Sequence, residues 1–169
     1  MNRGLYREEF EKDACGIGFI ANINNHPSHQ TVADALKMLH KMEHRGGVAS
    51  DDKTGDGAGV HLRIPHDYFS ELAEAQNISL PEREHYGVAM VFLPKQQTEL
   101  FESILKAVLK ILDLNAFWVR WVPTKGHEIG DFAKSNEPYV RQYFIKGEGI
   151  SGLELNRKLY LFRKITEYK

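Results

Sequence analysis

An unbroken apolar run, Gly87-Val88-Ala89-Met90-Val91-Phe92-Leu93, ends at Pro94. It is far shorter than the ~18 residues of a membrane span, and it has strand length. A strand apolar on both faces has to be covered on both sides. Thr98 then opens an amphipathic helix through Leu112, with Leu100, Ile104, Val108 and Ile111 on one stripe. Strand and helix in this order call for a layered domain with the strand inside. A chain of 169 residues is long enough for one domain with a sizeable core.

The remainder of the chain alternates in the same manner. Gly16 to Ile23 reads as a strand, followed by turn chemistry at Asn24-Asn25-His26-Pro27. Ser28 is a fair N-cap for a helix carrying Val32, Ala35, Leu36, Leu39 and Met42, with Gly46 placed as its C′ residue. Val60, Leu62 and Ile64 alternate with His61 and Arg63, a half-buried strand that Pro65 ends. Asp67 to Gln76 predicts a short helix, Phe117 to Val122 a strand with Trp118 and Trp121 on opposite faces, and Ile129 to Lys134 a helical turn. Tyr139 to Lys146 predicts another strand. Ser151-x-x-Glu154 is a capping box for a last helix burying Leu155, Leu159, Phe162 and Ile165. The order is strand, helix, strand, helix, strand, helix, strand, strand, helix, and the fold class is α/β.

Composition removes several classes of function. A net charge of -1 with eight His gives no general pull toward nucleic acid or a membrane surface. The mixed aromatic and basic set Trp118, Arg120, Trp121 and Lys125 therefore reads as cross-strand packing and not as a single-strand binding platform. With no signal-like N-terminus and no spanning segment, the cytoplasm is the expected location. A single cysteine, Cys15, excludes an intramolecular disulfide and an all-cysteine metal cluster within this chain.

Cys15 is nevertheless the chemically most loaded residue. A thiol attacks only as thiolate, its free pKa is about 8.5, and it needs a base. No neighbouring His, Asp or Lys is placed for that work. If Met1 to Ala14 were cut away, the α-amine of Cys15, with a pKa of roughly 7.7–8.0, would be that base. The plainer reading is a buried cysteine in a first strand.

Two further stretches bear on the choice. Glu43-His44-Arg45-Gly46-Gly47 ends the helix after Ser28, where Arg45 suits the negative end of the helix dipole. Thr54-Gly55-Asp56-Gly57-Ala58-Gly59 contains Gly-x-Gly but precedes a strand, so it fails as a dinucleotide fingerprint. Asp52-x-Thr54-x-Asp56-Gly57 begins like a calcium loop, yet Arg63 stands where the bidentate Glu belongs. It remains a backbone loop able to approach something small, or simply a tight link between helix and strand. His40-x-x-Glu43-His44 fits a zinc-peptidase signature that would need a third ligand from elsewhere.

Together Cys15-Gly16-Ile17-Gly18-Phe19, Glu43-His44-Arg45-Gly46-Gly47 and Thr54-Gly55-Asp56-Gly57-Ala58-Gly59 resemble, in order and spacing, the amidotransferase domain that begins the glutamate synthase large subunit. That domain is a class II glutamine amidotransferase of the N-terminal-nucleophile (Ntn) hydrolase superfamily. The resemblance continues through Ile64-Pro65-His66-Asp67-Tyr68-Phe69 and loosely to Arg157-Lys158-Leu159-Tyr160. It implies a four-layer αββα sandwich, here its front part only, with 1–14 as a removable propeptide-like arm and 15–169 as amidotransferase. It makes Cys15 the nucleophile, Arg45 the grip on the α-carboxylate of L-glutamine, and Gly46, Asp56 and Gly57 further substrate-binding positions. The family's Asn-Gly oxyanion pair and a further glutamine-binding Asp are not matched here, so the isolated chain is expected to be a weak glutaminase. FMN, an iron–sulfur cluster and NADPH are implied for the complete enzyme and none for this chain. The implied partners are the rest of the large subunit and a small subunit, with self-association as a possibility and no nucleic acid or membrane.

Overall fold

Phe144 has none of its surface exposed and organises the larger part of the chain. In a computed structural model, residues 16–43, 46–48, 50–55 and 57–167 are described. They divide into two compact units, Met1–Leu62 and Arg63–Lys169.

The second unit is built on three antiparallel strands, β1 (Gly87–Leu93), β2 (Leu114–Trp121) and β3 (Tyr139–Gly147), in the order β1-β3-β2. Gly87 pairs with Ile145 and Leu93 with Tyr139 on one side of β3, and Leu114 with Gly147 and Trp121 with Arg141 on the other. A bulge at Phe117, between Ala116 and Trp118, shifts the second register and re-aims the strand beyond it. Alternation along β3 divides the core. Tyr143 and Ile145 pack with helices α3 (Thr98–Ile111) and α5 (Gly152–Glu167), whose Leu105, Val108, Leu109, Leu155 and Phe162 are buried. Phe144 enters the opposite face, with Trp118 and Tyr86 and with Phe69 and Ala73 of α2 (His66–Glu74). There it stacks on its cross-strand partner Trp118, centroids 4.1 Å apart, and meets Phe69 edge-on at 4.9 Å. The aromatic and basic residues of β2 are thus sheet packing: Trp118 lies in this core, and Trp121 lies under the Arg141 guanidinium at 4.5 Å. A short helix, α4 (Asp131–Ser135), interrupts the connection between β2 and β3.

Local chemistry fixes the ends. Leu112 caps α3, Asp113 follows in the left-handed region (φ 53°), and the Lys158 ammonium donates to the Leu112 carbonyl at 2.8 Å. A Cβ on Gly87 would lie 2.3 Å from Leu159 Cδ1, so glycine lets β1 run beneath α5.

In the first unit, α1 (His29–Lys41) starts at Ser28, whose hydroxyl accepts from the Thr31 amide at 3.2 Å. Gly18 lies against this helix: a Cβ there would meet Met38 Sδ at 2.7 Å.

Six expectations change, the first being β2, which runs Leu114–Trp121 and not Phe117 to Val122, because its ladder with β3 starts at the Leu114–Gly147 pair. Gly16 to Ile23 and Val60 to Ile64 are not strands among the described residues: the ladders recorded join only β1, β2 and β3. Alternation alone does not make a strand, which needs a partner for its amides; Ile17, Phe19 and Ile23 are almost wholly exposed. β1 is covered unequally: Leu93 is buried and Ala89 and Val91 are half-buried on the face toward α3 and α5, whereas on the other face α2 reaches only the Val88 end and Met90 and Phe92 are open. The buried stripe of α3 is only partly the expected one: Val108 is buried and Ile104 packs on the core, but Leu105 and Leu109 are inside while Leu100 and Ile111 face out. Finally α1 ends at Lys41 with Met42 as its C-cap, so Gly46 is not its C′ residue. The described residues hold one sheet, a mixed α/β arrangement with antiparallel pairing.

Candidate functional site

The first unit carries the three sequence stretches with chemical content. Cys15, His44, Arg45 and Asp56 lie outside the described residues. Gly46 and Gly57 are described, as are residues 47, 48, 50–55 and 58–167.

Past α1 the Met42 amide donates to the Leu39 carbonyl at 3.0 Å, and the Gly46 amide donates to Glu43 at 3.1 Å. These two bonds end the helix and turn the chain. Val48 then forms an isolated antiparallel bridge with Gly55. Antiparallel register conserves the sum of paired positions, so Gly46 and Gly57 flank this bridge on the same side. The bridge therefore draws the described ends of the two stretches, Gly46-Gly47 and Thr54-Gly55, together. Their contact is close: a Cβ on Gly55 would stand 3.3 Å from the Gly47 carbonyl oxygen. Gly57 and Gly59 have open space where a Cβ would be, with no atom within 4 Å.

Asp51 organises the loop across the bridge. Its Oδ1 accepts from the Lys53 amide at 3.2 Å and the Thr54 amide at 2.7 Å, and its Oδ2 accepts from the Thr54 hydroxyl at 2.6 Å. Asp52 between them takes a left-handed conformation, φ 52°, which Asp tolerates better than most residues. Sequence reasoning passed over Asp51 in favour of Asp52 and Asp56. The available signal was the Asp-x-x-Thr spacing, which suits side-chain capping of a turn. A second turn precedes α1, where Asn22 Oδ1 accepts from the amides of Asn24 and His26 at 2.9 and 3.3 Å.

The zinc-peptidase pattern has no support here. His40 Nδ1 lies 3.7 Å from Glu43 Oε2 on an exposed surface, and among the described residues no three His, Cys, Asp or Glu gather as a metal site. In the second unit one shallow groove is lined by α5 residues from Leu153 to Leu161, and another by His85, Lys146 and the Gly147-to-Ser151 turn. Neither Gly46 nor Gly57 lines either groove; Arg157 and Tyr160, from the loose end of the resemblance, line the first, and Ser151 lines the second. Among the described residues no helix is long and apolar enough to cross a membrane.

Comparison with known proteins bears on the same stretches. A family model described as glutamine amidotransferases class-II matches residues 15–169, beginning at Cys15. The chain is 42% identical over 169 residues to the large chain of glutamate synthase [NADPH] of Bacillus subtilis, covering 98% of this chain and 11% of that one. It is 40% identical over 162 residues to ferredoxin-dependent glutamate synthase 2 of Synechocystis, covering 94% and 10%. Against the chloroplastic ferredoxin-dependent glutamate synthase of Spinacia oleracea it is 44% identical over 163 residues, covering 93% and 10%. The chain thus spans about a tenth of the length of these relatives.

Proposed function

This chain belongs to the class-II glutamine amidotransferases, and we propose that it performs the glutaminase half-reaction of a glutamate synthase. Removal of Met1 to Ala14 frees the α-amine of Cys15. That amine takes the thiol proton, and Sγ attacks the side-chain amide carbon of glutamine. The tetrahedral intermediate collapses as the ammonium of Cys15 gives its proton to departing ammonia, leaving a thioester. Water, deprotonated by the same amine, attacks the thioester carbon, and glutamate leaves with regeneration of the thiol. Arg45 holds the α-carboxylate through a charge-assisted bidentate pair, with Gly46, Asp56 and Gly57 around the substrate. The observation that carries the reading is the family match, whose first residue is the chain's only cysteine. The Val48–Gly55 bridge supports it by drawing two of the motifs together.

The fold we assign is the four-layer sandwich of Ntn hydrolases, with the β1-β3-β2 sheet as one layer and α3 and α5 as another. The released ammonia is destined for a synthase centre in the remainder of a longer enzyme. FMN, an iron–sulfur cluster and NADPH or ferredoxin act there. A cluster is held by several thiolates, and one cysteine in 169 residues does not fit it, so no step of this chain is routed through those groups.

The test is ammonia release from L-glutamine by protein beginning at Cys15. Cys15→Ser should abolish turnover. Arg45→Lys should weaken glutamine use by about 1.5–3 kcal/mol, the worth of hydrogen bonds to a charged group, with little change in melting temperature. Turnover that survives Cys15→Ser would refute the reading.

A further inference from the structure

Asp51 lies in none of the roles assigned above, yet it is the best-connected side chain of the loop between Val48 and Gly55. Its carboxylate accepts from two backbone amides and one hydroxyl, at 3.2, 2.7 and 2.6 Å. Three donors on one carboxylate, one of them the half-buried Thr54 hydroxyl, set the path of residues 51 to 54. The next residue, Gly55, makes the bridge to Val48 and lies close on the Gly47 carbonyl, whose oxygen a Cβ would approach to 3.3 Å. The bonds of Asp51 therefore decide where Gly55 meets Val48. That register in turn sets the spacing between the Gly46 and Gly57 backbones.

We propose that Asp51 is a positioning residue of the glutamine site: through Thr54 and the Val48–Gly55 bridge it holds the Gly46 and Gly57 segments at the separation that admits the substrate. This rests on the reading of those two segments as substrate-binding. Asp51 itself does not touch glutamine. Its loss lets the loop sample other registers, and only a fraction of molecules then present a formed site, which weakens apparent affinity by that fraction. Thr54 is tied to Asp51 by its amide and its hydroxyl; the hydroxyl bond survives in Thr54→Ser, which preserves the function, and is lost in Thr54→Val, which removes it.

The experiment is calorimetric titration of L-glutamine into the full 169-residue chain, well below its melting temperature. The wild-type chain is expected to bind glutamine. Asp51→Ala and Thr54→Val should each raise Kd by about tenfold or more, as loss of charge-assisted hydrogen bonds converts to affinity. Thr54→Ser should bind like wild type. The double variant Asp51→Ala/Thr54→Val should be no worse than Asp51→Ala, because the bond lost in Thr54→Val is one of those lost with Asp51. A merely stabilising role would lower the melting temperature of the variants and leave Kd unchanged, and that result would overturn the proposal. Absence of glutamine binding by the wild-type chain would instead bring down the substrate-site reading on which it rests.

Discussion

Burial pushes the Tyr143 hydroxyl above the ordinary tyrosine value of 10.0, against the opposing pull of the Arg141 guanidinium beside it. Burial does the same to Tyr86, opposed by Arg83 and assisted by Asp67; its hydroxyl is also paired with His66 Nδ1 at 3.0 Å. A group whose pKa is raised by folding stays protonated in the native state after the unfolded chain has ionised. Its contribution is complete below the unfolded pKa and is lost as pH climbs through the folded one. Stability should hold, as far as these two groups are concerned, up to about pH 10 and fall above it. Chemical denaturation at stepped alkaline pH should show a shallower fall for Tyr143→Phe than for wild type; equal slopes would contradict the assignment. Legibility at this scale was uneven. Cys15, Arg45 and Asp56 stood out because three motifs occur in order. Asp51 did not, because its role depends on where the Thr54 hydroxyl turns, which a residue pattern does not specify.

The strands that form are those for which the chain supplies ladders. β1 matched its predicted bounds, and β3 extended only to Gly147, because each has a continuous antiparallel partner. Gly16 to Ile23 and Val60 to Ile64 have the right pattern but join no ladder among the described residues, and composition does not reveal which segments will pair. Helix α3 shows the complementary limit. Its position was legible, and so were Ile104 and Val108 of its inner face, but the full face was not, because apolar residues occupy more than one side and tertiary packing chooses among them. Leu105 and Leu109 are 6% and 5% exposed, whereas Ile111 is 72% exposed. Leu105→Ala or Leu109→Ala should cost about 2–5 kcal/mol through cavity formation. Ile111→Ala should stay within about 0.5 kcal/mol, the usual range for surface changes. Urea midpoints decide it, and an Ile111 cost equal to that of Leu109 would return the helix to the stripe read from sequence.

For the molecule as a whole, apolar surface stands open in both units: Ile17, Phe19 and Ile23 in the first, Met90 and Phe92 on the edge strand of the second. Exposed apolar strands and unpaired edges favour association. The 169-residue chain should sediment as a concentration-dependent mixture and not as a single monomer; a clean monomer across a hundredfold concentration range would contradict that. The central claim concerns the other end of the argument, that Cys15 becomes a nucleophile by acquiring its own free amine. The most direct measurement is mass spectrometry after exposure to an electrophilic, thiol-directed analogue of glutamine. Two proteins are compared, one beginning at Cys15 and one retaining Ala14 before it. The account predicts rapid single labelling of the first at Cys15, suppressed by excess L-glutamine, and no comparable labelling of the second. Equal labelling of both would mean that the thiol draws its base from elsewhere, and the account of Cys15 would be wrong.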